Sequence, residues 1–107
     1  MRRAIVYDGG LDGRFRMRNS HVQSSFDPLW LDFWFTEVDL GTVASPGNNR
    51  LEATTPGGPA LGDSRSFVGI AIDAHDTMLN GVSYSGAVVG RATAGDYYLA
   101  GVNTIHF

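Results

Sequence analysis

The chain of 107 residues lacks cysteine, lysine and any long apolar run. Without cysteine it forms neither disulfides nor thiolate metal sites, so burial or assembly must supply its stability. All eight basic residues are arginine, whose planar guanidinium suits carboxylates and aromatic faces. No stretch approaches the roughly 20 apolar residues of a membrane span, which argues against a membrane partner.

The first residues imitate a secretory signal but lack its apolar core. Two arginines precede the apolar residues 4–7, and this run ends at Asp8. An export signal needs an apolar run of about 7 to 15 residues. We therefore expect a soluble chain that is not secreted and that stays in the cytoplasm unless it joins a larger assembly.

Glycine and aromatic residues are abundant, whereas charged residues are scarce. The chain has 14 glycines, 11% aromatic residues and 18% charged residues. Glycine weakens helices and suits turns, and the aromatic content argues against disorder. A chain of this length holds one domain. The composition thus predicts one all-β domain of short strands.

Basic charge is concentrated in residues 1–18, where five arginines and two aspartates balance to +3, against −6 for the rest of the chain. Residues 3–7 are typical of a strand, and arginine alternates with apolar residues over 14–18, the period of a strand with one wet face. We predict that residues 1–18 form a basic arm or hairpin on a β domain at 19–107. The arm either folds back on the acidic body or binds an acidic protein surface. The acidic body argues against nucleic acid, whose phosphates dominate such binding.

Residues 26–40 form the densest apolar block. Asp27 and Pro28 are typical of a helix start, but β-favouring residues and apolar alternation favour a strand. The aromatic side chains belong either to the core or to an interface, and Trp30 and Trp34 are the candidates for partner contact.

Residues 41–66 are predicted to be a long loop rich in proline and glycine, with only residues 50–53 typical of a short strand. A loop of this length is either mobile or held by a partner. The segment from Ala53 to Gly62 carries no charge. Pro56 and Pro59 are therefore expected to hold an extended stretch against a partner surface.

Four further segments are typical of strands: 66–73, 82–92, 96–100 and 102–107. Residues 74–80 are predicted to form a single helical turn, and no internal repeat is visible. Short strands joined by glycine turns predict a small barrel or sandwich of antiparallel strands, with an extended N-terminal arm and a long Pro/Gly loop.

Motifs for catalysis or cofactor binding are weak. Asp73, His75 and Asp76 form the tightest cluster of ligand-type residues, but a metal site needs three or four converging ligands, and a solvated turn is favoured. The nucleophile elbow, the dinucleotide fingerprint and the phosphate loop are all missing from the sequence. We therefore predict no catalytic residues, no cofactor and no metal, and a protein that is not an enzyme.

Three segments of the last third resemble small phage head-decoration (capsid cement) proteins: 66–74 (SFVGIAIDA), 84–88 (YSGAV) and 91–97 (RATAGDY). The resemblance covers under a third of the chain. It implies a β-rich domain on the capsid surface of the virion that trimerises or bridges capsid subunits and stabilises the shell.

The leading hypothesis is therefore a bacteriophage virion structural protein, a capsid decoration protein that binds the major capsid protein or further copies of itself, with a trimer as one expected oligomer. The alternative is a carbohydrate- or receptor-binding β module that uses surface aromatics such as Tyr84, Tyr97, Tyr98 and Trp30, and a small hydrolase is the least favoured. The residues predicted to contact the partner are Arg2, Arg3, Arg14, Arg16, Arg18, Trp30, Trp34, Pro56 and Pro59.

Overall fold

A computed structural model describes residues 5–9, 13–33, 37–65, 71–91 and 95–107. Within these ranges the chain forms strands and no helix, which confirms the predicted all-β class. The strands are β1 (Ile5–Gly9), β2 (Arg14–Arg16), β3 (His21–Ser24), β4 (Leu29–Phe33), β5 (Glu37–Asp39), β6 (Asn49–Ala53), β7 (Leu61–Asp63), β8 (Ala71–Asp73), β9 (Thr77–Leu79), β10 (Val88–Val89), β11 (Tyr97–Leu99) and β12 (Thr104–His106).

From β1 to β9 the chain visits three sheets in the same order three times. Sheet 1 contains β1, β4, β7 and β11; sheet 2 contains β2, β5, β8 and β12, with β10 at its edge; sheet 3 contains β3, β6 and β9. We call one passage through the three sheets a coil. Successive coils stack strand upon strand, so the described residues form a three-sided parallel β-helix.

The strand pairing differs from the expected barrel or sandwich of antiparallel strands. Between the described strands eight ladders are parallel, and the ladder between β10 and β12 is antiparallel. Of the arm or hairpin predicted at residues 1–18, the hairpin does not form between the described strands, because β1 pairs with β4 and β2 with β5. Apolar alternation indicates only that a strand has one buried face, and it does not indicate which strand is its partner. Glycine and asparagine turns occur at corners between the sheets of a β-helix as well as in hairpins.

Two further segments differ from expectation. The predicted loop at 41–66 contains β6, close to the expected short strand, and also β7. The predicted helical turn at 74–80 is a corner followed by β9. The expected strand over 26–40 is present as β4 and β5, and residues 34–36 lie outside the described ranges.

The core fills the space between the three sheets. Most inward positions are apolar and buried, as alternation along each strand requires, and Asn49, Asp63 and Thr77 are buried polar exceptions. Neighbouring coils place these side chains in columns, such as Val38, Ile72 and Ile105 in sheet 2. The fully buried apolar residues include Leu29, Leu31, Leu40, Leu51, Leu61, Ile72, Leu79, Leu99 and Ile105.

Asparagine and aspartate build the corners between the sheets. Among the described residues, those other than glycine with positive φ are Asn19, Asp27, Asn48, Asp76 and Asn80. Their short polar side chains tolerate the left-handed conformation better than other side chains do. No described residue belongs to a helix long and apolar enough to cross a membrane.

Candidate functional site

The outer face of sheet 1 carries a ladder of three residues from successive coils. Trp30 of β4 lies beside Gly62 of β7, and Gly62 lies beside Tyr98 of β11. Because Leu29 and Leu31 are fully buried, the alternation along β4 turns Trp30 outward. Trp30 and Tyr98 are both partly exposed. We call Trp30, Gly62 and Tyr98 the aromatic platform.

The two rings of the platform meet across the glycine. Their planes differ by 20°, and their centroids are 5.9 Å apart. A Cβ atom at position 62 would lie only 2.2 Å from Cε3 of Trp30. Gly62 is buried, so the indole covers its backbone. The platform therefore depends on the missing side chain of Gly62 as much as on the two aromatic residues.

Oxygen acceptors flank the platform. Asp32 lies two residues beyond Trp30 on the same strand, hence on the same outer face, and its Oδ1 accepts a 2.7 Å hydrogen bond from the Ser64 hydroxyl. Asp27 is buried, and its Oδ1 lies 3.0 Å from the point where a Cβ of Gly62 would stand. The platform is thus an apolar area bordered on its Asp32 side by a hydroxyl and a carboxylate.

A buried ion pair lies inside the β-helix, at the end of β7, the strand that contains Gly62. Arg65 donates from Nε to Oδ1 of Asp63 at 2.8 Å and from Nη2 to Oδ2 at 2.6 Å. Asn103 also donates to Oδ2 of Asp63, at 3.0 Å. Asp63 and Arg65 have no exposed side-chain surface. The pair links the end of β7 to the residue before β12 and was not foreseen as a feature of the site.

A second polar group holds the start of β11, which carries Tyr98. Asn80 donates from Nδ2 to Oδ1 of Asp96 at 3.0 Å, and the Tyr84 hydroxyl donates to Oδ2 of Asp96. Burial, followed by this hydrogen bond, raises the pKa of Tyr84 to about 12. The Tyr84 hydroxyl is therefore a neutral donor at physiological pH. Its hydrogen bond connects the segment after β9 to Asp96, the residue immediately before β11.

The predicted arginine contacts lie on another face of the helix. Arg14, Arg16 and Arg18 follow the outer side of sheet 2 and its adjoining corner. Arg14 pairs with Glu37 at 3.5 Å, and Asp39 pairs with Arg16 at 3.8 Å and with Arg18 at 2.8 Å. These three arginines contact acids of their own domain, the first of the two alternatives that the charge pattern left open.

Of the other predicted contact residues, three are described: one lies on sheet 1 and two lie at the corner that leads into it. Trp30 belongs to the aromatic platform. Pro56 is exposed and Pro59 partly buried at the corner between β6 and β7, where the carbonyl of Pro59 accepts from the backbone N–H of Asp27. The remaining three candidates, Arg2, Arg3 and Trp34, lie outside the described residues.

The Asp73, His75 and Asp76 segment crosses a corner between sheets 2 and 3. Asp76 has positive φ, and its Oδ2 accepts from the backbone N–H of Asn48. A cleft of about 210 Å³ beside it is lined by His75, Asp76, Tyr84 and Phe107 among others. Over the described ranges, no three acidic or histidine side chains come together in a way that could hold a metal ion.

Sequence reasoning named Trp30 and Tyr98 as surface aromatics together with Tyr84 and Tyr97, and it could not place Trp30 and Tyr98 side by side. Their positions are 68 residues apart in the sequence and meet only through the stacking of coils. Comparison with known proteins adds nothing to this geometry, since no family model, curated protein or solved structure matches the chain.

Proposed function

We propose that this chain is a carbohydrate-binding β-helical module, and that its binding surface is the aromatic platform of sheet 1. The observation that carries the proposal is the near-parallel pair of Trp30 and Tyr98 over Gly62. A sugar ring presents an apolar face of C–H groups and a rim of hydroxyls. Aromatic side chains cover the first, and precisely placed polar groups at the border of a pocket meet the second.

The surroundings of the platform match this division of a sugar ring. Asp32 and Ser64 lie beside the aromatic area and present carboxylate and hydroxyl oxygens. A carboxylate accepts up to about four hydrogen bonds, so the Asp32 side chain is of a type that suits a ligand hydroxyl. The platform is also built on strands, which hold side chains more firmly than loops do.

Fluorescence titration with a panel of oligosaccharides tests the proposal. In a Trp34→Phe background, Trp30 is the remaining tryptophan and reports directly on its own environment. We expect one class of glycan to change its emission saturably, and Tyr98→Ala to weaken that binding at least tenfold. Val43→Ala, at a valine 82% exposed in the corner between β5 and β6, is the matched control. If no glycan binds, or if Tyr98→Ala binds as well as Val43→Ala, the platform is not a sugar site.

A second candidate function, a virion structural protein that decorates a capsid, is favoured by a different observation. Phe107 donates its backbone N–H to the carbonyl of Ala87. Because hydrogen-bonded and non-hydrogen-bonded pairs alternate in an antiparallel ladder, Val88 opposite His106 directs its N–H and C=O away from β12. Val88 is 62% exposed. An edge of this kind accepts a strand from a neighbouring chain.

The assembly function is tested by light scattering on the wild type and two variants. Val88→Pro removes the outward N–H of β10, and Val88→Ala keeps it. If copies of the chain assemble through this edge, we expect an oligomer, such as a trimer, in the wild type and in Val88→Ala but a monomer in Val88→Pro. An oligomer that persists in Val88→Pro would place the contact elsewhere. A wild-type monomer would leave only a capsid partner for this function, to be tested by co-sedimentation with phage shells.

A further inference from the structure

We propose that the cleft beside the corner between sheets 2 and 3 binds a small organic cation of the alkylammonium class. We call this cleft of about 210 Å³ the corner cleft, and its lining includes Asp76, Met78, Ser83, Tyr84, Ser85 and Phe107. None of its described lining residues belongs to sheet 1, which carries the aromatic platform. The proposal therefore does not depend on the glycan-binding function.

Hydrogen bonds of the main chain hold both walls of the corner cleft. On the first wall, the N–H of His75 donates to the carbonyl of Gly41, and the carbonyl of His75 accepts from the N–H of Gly47. On the second wall, the N–H of Phe107 donates to the carbonyl of Ala87. The cleft is therefore largely formed before a ligand arrives, as is usual for small-molecule sites.

Asp76 gives the corner cleft a negative charge. Its Oδ2 accepts a 3.1 Å hydrogen bond from the backbone N–H of Asn48, which fixes the side chain at the corner. Within the described ranges, no hydrogen bond or ion pair engages its Oδ1. This oxygen can accept a hydrogen bond from a bound cation, and hydrogen bonds between charged groups are stronger than those between neutral groups.

Tyr84 and Phe107 form an aromatic wall of the corner cleft. Their rings stack with centroids 4.9 Å apart and planes 29° apart. The Tyr84 hydroxyl donates to Asp96, so the ring is the group that this residue offers to a ligand. An exposed carboxylate alone holds a cation weakly, because water and salt screen the pair. An aromatic ring adds a second attraction, since its π electrons attract a cation near its face, and quaternary ammonium ions are recognised in this way.

The size of the corner cleft and its hydroxyl groups restrict the ligand further. The volume lies below the roughly 300 to 1,000 Å³ of pockets for drug-sized ligands, so an ion of a few heavy atoms fits better than a chain of sugars. Ser83 and Ser85 are exposed, and over the described part of the chain neither hydroxyl has a hydrogen-bond partner. These hydroxyls can accept from an ammonium N–H or bond to a ligand hydroxyl. The lining thus matches an alkylammonium ion with a short apolar body, such as choline.

Binding is tested with two cations and their uncharged counterparts of similar shape. Choline is compared with 3,3-dimethyl-1-butanol, and butylammonium with 1-butanol, at about pH 8, where histidine side chains are ordinarily neutral. NMR of carbon-13-labelled methionine methyl groups follows the titration. Met78 lines the cleft, and Met17, 7% exposed in the core, is the internal reference.

We expect both cations to shift the Met78 methyl resonance saturably, with no change at Met17. Each neutral compound should bind at least tenfold more weakly than its charged counterpart. Equal binding of a cation and its neutral counterpart, or no saturable shift with either cation, would overturn the proposal.

Asp76→Asn tests the carboxylate. Asparagine tolerates positive φ and can still accept from Asn48, so the corner should keep its shape. We expect choline to bind at least fivefold more weakly to this variant. Asp73→Asn is the matched control, because it makes the same change in net charge at a residue outside the lining. An equal loss of affinity in both variants would assign the effect to the overall charge and contradict the role of Asp76.

Two variants of Tyr84 test the aromatic wall. Tyr84→Phe and Tyr84→Leu both remove the hydrogen bond to Asp96, but only the second removes the ring. We expect Tyr84→Phe to bind choline within about twofold of the wild type, and Tyr84→Leu to bind it at least fivefold more weakly. If both variants lose affinity equally, the hydrogen bond and not the ring supports binding, and the contact between cation and ring is wrong.

Tyr98→Ala separates the corner cleft from the aromatic platform. This variant should bind choline as the wild type does, even though it is expected to lose glycan binding. A loss of choline binding in Tyr98→Ala would place the cation on the platform and overturn the proposal.

Discussion

At the scale of single residues, Gly62 shows why the site could be predicted only in part. Glycine inside a strand costs conformational entropy, so the sequence Leu61-Gly62-Asp63 was expected to be part of a loop. In the structure it is a strand because an indole from the previous coil fills the space of the missing side chain. No local pattern in the sequence indicates that Trp30 and Gly62 are in contact, because they are 32 positions apart.

We predict that Gly62→Ala destabilises the fold and disrupts the platform. The new methyl group would stand 2.2 Å from Cε3 of Trp30, so the indole must move. Overpacking of this kind costs about 1 to 3 kcal/mol. Urea denaturation measures the cost, and Gly90→Ala is the control, because a Cβ at position 90 meets no atom within 4 Å. Equal stabilities of the two variants would contradict the close packing of Trp30 on Gly62.

The buried ion pair gives a second prediction at this scale. Arg65→Met leaves the Asp63 carboxylate inside the helix with Asn103 as its remaining side-chain donor among the bonds described above. Removing one partner of a buried pair costs about 3 to 5 kcal/mol. The double variant Asp63→Leu/Arg65→Met should recover most of this loss in denaturation experiments. Arg14→Met, at an arginine with 77% of its side chain exposed, should change stability by less than about 1 kcal/mol.

At the scale of elements, strand positions were predictable but strand partners were not. Alternation identified β2, β4, β5 and β8 because a strand with one buried face has period two wherever its partner lies. Partners in a β-helix come from the next coil, at unequal distances along the chain. Ile5 lies beside Leu29, 24 positions on, whereas Leu29 lies beside Leu61, 32 positions on. A fixed repeat is therefore absent, and short alternating strands were read as neighbours in an antiparallel sheet.

The contact between β3 and β6 gives a prediction about pH. Glu52 of β6 accepts from Arg50 at 2.8 Å and lies 3.1 Å from Nε2 of His21 on β3. The hydrogen bond from His21 is the largest cause that holds the pKa of Glu52 below its ordinary value, while partial burial acts in the opposite direction. The folded chain thus binds fewer protons at this site than the unfolded chain does. The stabilisation is complete above the unfolded-state pKa of about 4.3 and is lost as pH falls through the lower folded-state pKa.

Glu52→Gln should accordingly be less stable than the wild type at pH 7, and the two should converge near pH 3. Urea denaturation at a series of pH values measures this difference. Glu37→Gln, in the exposed pair with Arg14, serves as the comparison and should show a smaller change. A constant gap between Glu52→Gln and the wild type from pH 7 to pH 3 would contradict the lowered pKa.

At the scale of the whole molecule, the stacking of coils requires that the strands stay in register, but the corner segments can differ in length. Phe15 lies beside Val38, 23 positions on, and Leu61 lies beside Tyr97, 36 positions on. The extra residues extend outward at corners while the inward columns keep their register. Composition predicted the all-β class and one folded unit, but the number of sheets depends on corner geometry that short-range patterns do not encode.

We predict that a corner tolerates an insertion and a strand does not. Gly-Ser-Gly-Ser placed between Val43 and Ala44, both exposed, lengthens a corner and should cost less than about 1 kcal/mol. The same four residues between Leu51 and Glu52 would interrupt β6 in the middle of sheet 3 and should prevent folding. Circular dichroism and thermal unfolding compare the two. Similar losses of stability in both insertions would show that the corners are constrained as strongly as the strands.

The parallel ladders also determine how the molecule would respond to force. Hydrogen bonds in a sheet run across the strands, so those of all three sheets point along the axis on which the coils stack. Tension along this axis loads the bonds of one coil at a time, and coils should separate in succession at low force, as a zipper opens. Tension along the strands of one coil would shear many bonds together. The module should therefore extend easily under tension along the stacking axis and resist tension along its strands. A force along the strands of sheet 1 should leave the aromatic platform in place.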